Sequence, residues 1–131
     1  MNAKLKFVAM IGMLALAGCT TAMYEGDLSR DKVARITSVD TYISAVDDKE
    51  VHWKGANYAK VLVLPGERKI DVSLNLNSGY TAMYSIVPIS VYFDAQEGRE
   101  YVTQAEFSGD EAWFPIILDK DTSQEVHYFK E

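Results

Sequence analysis

Three kinds of residue in this chain could do chemistry: one thiol, two imidazoles, and carboxylates spaced closely enough to share a proton or a cation. Cys19 is the only cysteine, and His52 and His127 are the only histidines. A single thiol provides neither a disulfide nor a multi-thiolate zinc site. Each histidine alternates with apolar neighbours, in Val51-His52-Trp53 and Val126-His127-Tyr128. That pattern places it on the wet side of a strand, and no short spacing links the pair as metal ligands. Asp119-x-Asp121-x-Ser123-x-Glu125 has the opening of a calcium loop, but Gln124 stands where glycine is required and Lys130 where the bidentate glutamate belongs, so a solvated turn is expected. Asp47-Asp48, Asp110-Glu111 and Glu97 with Glu100 could supply a general acid and base only inside an apolar pocket that splits their pKa values. They read instead as charged turns. No Gly-x-Ser-x-Gly elbow occurs. The expectation is a chain that is not an enzyme and that holds no metal and no cofactor.

Recognition chemistry is better represented. Tyr80, Tyr84 and Tyr92, with Trp53, Tyr58 and Trp113, could form a partner surface, since such rings combine apolar area with a polar handle. Tyr92 is the best single candidate, because it lies between Val91 and Phe93 and therefore opposite their face of a strand.

The thiol is positioned by what precedes it. Lys4 and Lys6 form a basic opening, and residues 7–17 are an apolar or small-residue run that ends at Gly18-Cys19. This is the layout of a secretory signal, too short for a finished transmembrane helix. Leu16-Ala17-Gly18-Cys19 resembles the bacterial lipobox at all four positions. The resemblance implies cleavage before Cys19, diacylglycerol on its sulfur and acylation of the new amino terminus. Several acyl chains make a stable anchor where one is marginal. Thr20 follows, and by the same resemblance a residue other than Asp there implies the outer membrane, facing the periplasm. The expected address is thus the bacterial cell envelope, with the membrane as one partner and an unidentified envelope protein or ligand as another.

Cleavage before Cys19 removes 18 of the 131 residues and leaves 113, the size of one small domain. The lost segment holds two of the thirteen basic residues and none of the nineteen acidic ones, so the remainder carries a net charge of −8. An acidic chain without a basic cluster argues against nucleic acid and against lying flat on anionic lipid. Residues 19–31 are polar, with a glycine, and read as a tether. Residues 32–131 form the domain.

Within that domain the apolar pattern has period two. Strand candidates span residues 33–37 and 43–46, both modest, then 51–53, 58–64, 70–76, 89–94, 101–107 and 113–118, with a final arm over 125–129, seven or eight short strands in all, broken by turn chemistry such as Asp47-Asp48, Pro65-Gly66, Gln96-Glu97-Gly98 and Ser108-Gly109. Ile70, Val72, Leu74 and Leu76 alternate with Asp71, Ser73, Asn75 and Asn77, one dry face against one wet face. The continuous run Val61-Leu62-Val63-Leu64 predicts burial on both faces. Pro88 marks a strand start, bulge or edge. The pattern predicts an all-β chain of about seven strands, a single antiparallel β-sandwich after a signal helix; a small barrel, or a sheet carrying one helix, are the alternatives.

Val63-Leu64-Pro65-Gly66-Glu67-Arg68-Lys69-Ile70-Asp71-Val72, followed by Phe93-x-Ala95-x-x-Gly98-x-x-Tyr101, is similar to small bacterial lipoproteins and to PEGA-type surface domains. The resemblance implies an immunoglobulin-like or prealbumin-like sandwich without an established activity. The expected role is binding or structural support in the envelope; the alternative is inhibition or sensing of an envelope enzyme or small ligand through residues 77–87. A Cys19→Ser variant is expected to accumulate as an uncleaved precursor, and radiolabelled palmitate entering that variant at the wild-type level would contradict the anchor.

Overall fold

A computed structural model describes residues 20–51, 60–77, 82–84, 87–109 and 112–130. The signal segment, with Leu16, Ala17, Gly18 and Cys19, lies outside the described residues, as do His52, Trp53, Tyr58, Tyr80 and the Asp110-Glu111 pair.

The described chain is two packed sheets. The first contains β1 (Thr20–Ala22), β5 (Lys60–Val63), β2 (Ala34–Ser38), β9 (Glu100–Ser108) and β10 (Ala112–Asp119), in that order across the sheet. The second contains β11 (His127–Tyr128), β8 (Ile89–Ala95), β6 (Gly66–Asn77), β3 (Thr41–Val46) and β4 (Lys49–Glu50), with β7 (Ala82–Tyr84) also paired to β6. The sandwich read from the sequence is therefore present, with two departures from pure antiparallel pairing. β1 runs parallel to β5, and β2 runs parallel to β9. Parallel neighbours cannot be joined by a hairpin. Between β2 and β9 the chain crosses into the second sheet, builds β3 and β4, returns for β5, and then adds β6 to β8.

Local sequence explains the turns. Val46 pairs with Lys49, so Asp47-Asp48 is a two-residue hairpin loop, and both aspartates have positive φ, 49° and 66°. This is the twist-compatible hairpin turn that Asp tolerates. The Pro65-Gly66 corner carries the chain from the first sheet to the second. Gly66 has φ of 111°, and a Cβ there would meet Arg68 Nη2 at 3.2 Å. The Arg68 guanidinium spans the corner: Nη2 donates to Pro65 O at 3.0 Å and Nη1 to Asp47 Oδ2 at 2.7 Å.

Alternation sorts the core. Ile36, Ile43, Val61, Ile70, Val72, Val91, Phe93 and Ile117 are fully buried between the layers. Phe93 meets the Tyr101 ring edge-on, centroids 4.9 Å apart. The Tyr101 hydroxyl accepts from Gln96 N–H at 3.0 Å and so bridges the corner between β8 and β9, a device of immunoglobulin-type sandwiches. Burial pushes the Tyr101 phenol pKa up. Two details depart from the pattern. Leu64 is exposed and Leu62 half-buried, so β5 hides only one face, because a two-layer sandwich offers each strand one interior side. Ser73, expected on the wet face of β6, is buried.

A buried hydroxyl cluster pins the layers together. Thr41 Oγ1 of β3 lies 2.9 Å from Thr103 Oγ1 of β9, and Thr103 also donates to Ser38 Oγ at 3.0 Å. The last segment closes one side. Val126 N–H donates to Ile117 O at 2.9 Å on β10, while His127 and Tyr128 pair with Phe93 and Tyr92 on β8. Phe93→Ala is expected to lower unfolding free energy by about 3–5 kcal/mol, and Val87→Ala, at an exposed position before β8, by under about 0.5 kcal/mol, read as urea midpoints at constant slope.

Candidate functional site

The outer face of the second sheet is where the sequence placed Tyr92, and the structure adds partners that the linear pattern did not show. Tyr92 sits on β8 between Lys69 of β6 and Tyr128 of β11. The Tyr92 and Tyr128 rings stack with centroids 6.0 Å apart and planes 19° apart. Lys130 Nζ lies 4.7 Å from the centre of the Tyr92 ring, within range of a cation–π attraction. Glu67, two residues before Lys69, accepts from both the Tyr128 hydroxyl and the Lys130 ammonium. Lys69 pairs with Asp48 at 2.5 Å, and Ser90 donates to Asp71 Oδ1 at 2.7 Å. The face is thus a connected polar sheet surface with two stacked phenols at one edge.

Its electrostatics decide what chemistry it can do. The hydrogen bond that the Tyr128 hydroxyl donates to the Glu67 carboxylate pushes the Tyr128 pKa up to about 12. Hydrogen bonds from Lys130 and then Tyr128 hold Glu67 below the usual carboxylate range. At neutral pH the tyrosine is a protonated donor and the glutamate an ionised acceptor. Neither is poised to exchange a proton near pH 7, which general acid–base work requires. A stacked aromatic pair with fixed donors, acceptors and one ammonium suits recognition instead.

The other sequence candidates fall apart from this face. Tyr84 pairs in register with Asn75, six positions along β6 from the Lys69 that pairs with Tyr92. The two tyrosines therefore stand roughly 20 Å apart along one strand, and Tyr80 lies outside the described residues. Residues 82–84, expected within a protruding loop, are a sheet strand. His127 is half-buried rather than exposed: Ile117 N–H donates to its Nδ1 at 3.2 Å, and its ring meets Phe129 edge-on. It fixes the closing arm to β10.

The calcium-like run is a backbone clamp. Asp119 Oδ1 accepts from Asp121 N–H at 2.9 Å and Thr122 N–H at 3.3 Å, and Oδ2 faces Arg99 Nη1 at 3.3 Å. The expected solvated turn is corrected at its first residue, which is buried because its carboxylate replaces water with backbone donors. Among the described residues no group of three or more His, Cys, Asp or Glu side chains is arranged to hold a metal ion. Nor is any described helix long and apolar enough to cross a membrane.

Tyr128 and Lys130 carried no signal in the linear pattern. Both lie in the last few residues, and only the pairing of β11 with β8 brings them to Tyr92. Compared with known proteins, the chain matches no family model, no curated protein and no solved structure.

Glu67→Gln is expected to return the Tyr128 pKa toward the ordinary tyrosine value, followed by nuclear magnetic resonance of ring-labelled tyrosine. Because the native pKa is raised, Glu67 stabilises the fold below pH 10, and that stabilisation disappears as pH rises through about 12. Glu100, held low by Lys120 and Arg35, works in the other direction. Its contribution is present above the ordinary glutamate pKa and lost as pH falls through the lowered native one. Glu100→Gln should flatten the acid limb of a thermal-melting profile below about pH 5.

Proposed function

We propose that this chain is a lipid-anchored protein of the bacterial envelope, held by Cys19 at the outer membrane and facing the periplasm. Its role on this reading is to bind or support another envelope component without catalysing a reaction. The observation that carries the anchor is the match of Leu16-Ala17-Gly18-Cys19 to the lipobox behind a basic opening and an apolar run. The likeness of the Pro65-Gly66 turn and its following strand to PEGA-type surface domains is in keeping with it.

The binding role draws support from the outer face of the second sheet. Tyr92, Tyr128, Lys130 and Glu67 form a partly exposed cluster whose acid and base are locked in their ordinary ionic states. Such a cluster offers directional hydrogen bonds and ring area to a partner. The chain's acidic balance favours a neutral or basic partner surface over nucleic acid.

The test is affinity capture from detergent-solubilised envelopes with the mature lipidated protein as bait, comparing wild type with a Tyr92→Ala/Tyr128→Ala double variant. A partner retained by wild type and depleted at least several-fold by the variant is expected. Turnover of a substrate panel by the pure protein, with no partner captured, would replace the binding reading with an enzymatic one.

A further inference from the structure

The recognition cluster on the outer face of the second sheet already holds a cation, and that cation belongs to the chain itself. Lys130 Nζ lies 4.7 Å from the centre of the Tyr92 ring and donates to Glu67 Oε1. The Tyr128 hydroxyl donates to Oε2 of the same carboxylate, and its ring stacks on Tyr92 with planes 19° apart. A ring face and a carboxylate thus hold one ammonium, with a second phenol bracing the carboxylate. Aromatic faces joined to acidic groups are how proteins recognise organic cations.

The way Lys130 is held lets it leave. The ladder between β11 and β8 ends at the pair Tyr128 and Tyr92, so Phe129 and Lys130 lie past the last paired residue. The ion pair with Glu67 is open to water, its two side chains 45% and 48% exposed. Such a pair contributes little, because water screens the charges and both side chains lose rotamer freedom to form it. Moving the ammonium off the ring therefore breaks no strand pairing. The arm stays fastened by Val126 N–H on Ile117 O and by Ile117 N–H on His127 Nδ1.

The surroundings favour a further positive charge. Asp94 stands directly opposite Glu67 in the pairing of β8 with β6, and both residues are exposed. Like charges facing each other across one rung repel. Lys130 bonds to Glu67, whereas the Asp94 carboxylate has no cation partner among the described residues, and its charge helps to push the Tyr128 phenol pKa up. Lys69 is engaged by Asp48, and the carboxylate of Asp71 takes its bond from the neutral Ser90. Asp48, Glu67, Asp71 and Asp94 therefore set four negative charges against the two positive charges of Lys69 and Lys130, a net −2 on this face.

Of the cations that a protein partner carries, guanidinium fits this geometry best. It is planar and weakly hydrated, so it can lie on a phenol ring, and its fork of N–H donors can reach two carboxylates at once. Glu67 and Asp94, one rung apart beside Tyr92, are such a pair of acceptors. An ammonium is a single point of charge and leaves one of them unmatched.

We propose, resting on the binding role given above, that Tyr92, Tyr128, Glu67 and Asp94 form a docking site for an arginine side chain of a partner protein, and that Lys130 fills it in the free protein as an exchangeable stand-in. The partner's arginine displaces Lys130. Apparent affinity is then reduced to the fraction of molecules whose site Lys130 has vacated.

The test uses the mature lipoprotein in detergent micelles with ring-labelled tyrosine. It is titrated with the peptide acetyl-Gly-Arg-Gly-amide and with the same peptide carrying citrulline, which keeps the shape of arginine and loses its charge. Saturable shifts of the Tyr92 and Tyr128 ring signals with the arginine peptide, weakened by salt and absent with citrulline, are expected. Glu67→Gln combined with Asp94→Asn should abolish them. Lys130→Gln should tighten binding several-fold because it removes the competitor, and Lys130→Ala, a second way of vacating the site, should do the same. An ion pair that merely braces the arm predicts the reverse, since losing Lys130 would then only loosen the site. Equal shifts with citrulline, or unchanged or weaker binding in both Lys130 variants, would overturn the inference. Envelope capture that still depends on Tyr92 and Tyr128, with no arginine-peptide binding to wild type or to either Lys130 variant, would reject the arginine while leaving the recognition role standing; loss of both would reject both.

Discussion

Each sheet has one apolar face, and neither face can remain in water: this requirement, met by laying the two faces together, governs the rest of the molecule. Ile36, Val61 and Ile117 from one layer meet Ile43, Ile70, Val72, Val91 and Phe93 from the other. At roughly 1.5–3 kcal/mol for each fully buried large side chain, this interface is the principal favourable term in folding. Being non-directional, it does not by itself fix how the sheets register. The hydroxyls of Thr41, Thr103 and Ser38 supply that direction, since a buried hydroxyl deprived of its partner costs about 1–3 kcal/mol.

Once the interior is defined, the edges and outer faces follow. β4 is two charged residues long, which blunts one edge. Pro115 lies within β10, tolerated because that strand is at the border of its sheet. Across the gap between β10 and β8, the closing segment bonds to both, so one side of the sandwich has barrel-like closure. Among the described residues, Asp47, Asp48, Glu67 and Glu100 are partly or largely exposed and each is paired with a lysine or arginine. Exposed pairs of this kind contribute little stability.

The outer face of the second sheet shows how recognition chemistry arises from topology. Tyr92 belongs to a middle strand, Glu67 to the strand on one side of it, and Tyr128 and Lys130 to a terminal arm on the other. No short motif joins them. They meet because the last segment leaves β10 and crosses to β8, and the meeting fixes the protonation of Tyr128 and Glu67 together.

What the sequence by itself determined was local. Period-two alternation gave the dry faces of β6, β8 and the lower part of β9, because a strand turns successive side chains to opposite sides whatever lies beyond it. Asp47-Asp48 and Pro65-Gly66 gave their turns, because those residues carry their own φ preferences. The basic opening, the apolar run and the four residues ending at Cys19 gave the expectation of a lipid, because that signal is read as linear sequence before any folding. Tertiary structure decided the rest. That β2 lies parallel to β9, that β5 hides one face although its sequence is apolar on both, that Thr20 begins a strand instead of a tether, and that Asp119 and His127 serve backbone groups all depend on which segments become neighbours. Strand partners are chosen by the fit of two whole faces over residues far apart in the chain, and no window of the sequence contains both sides of that fit.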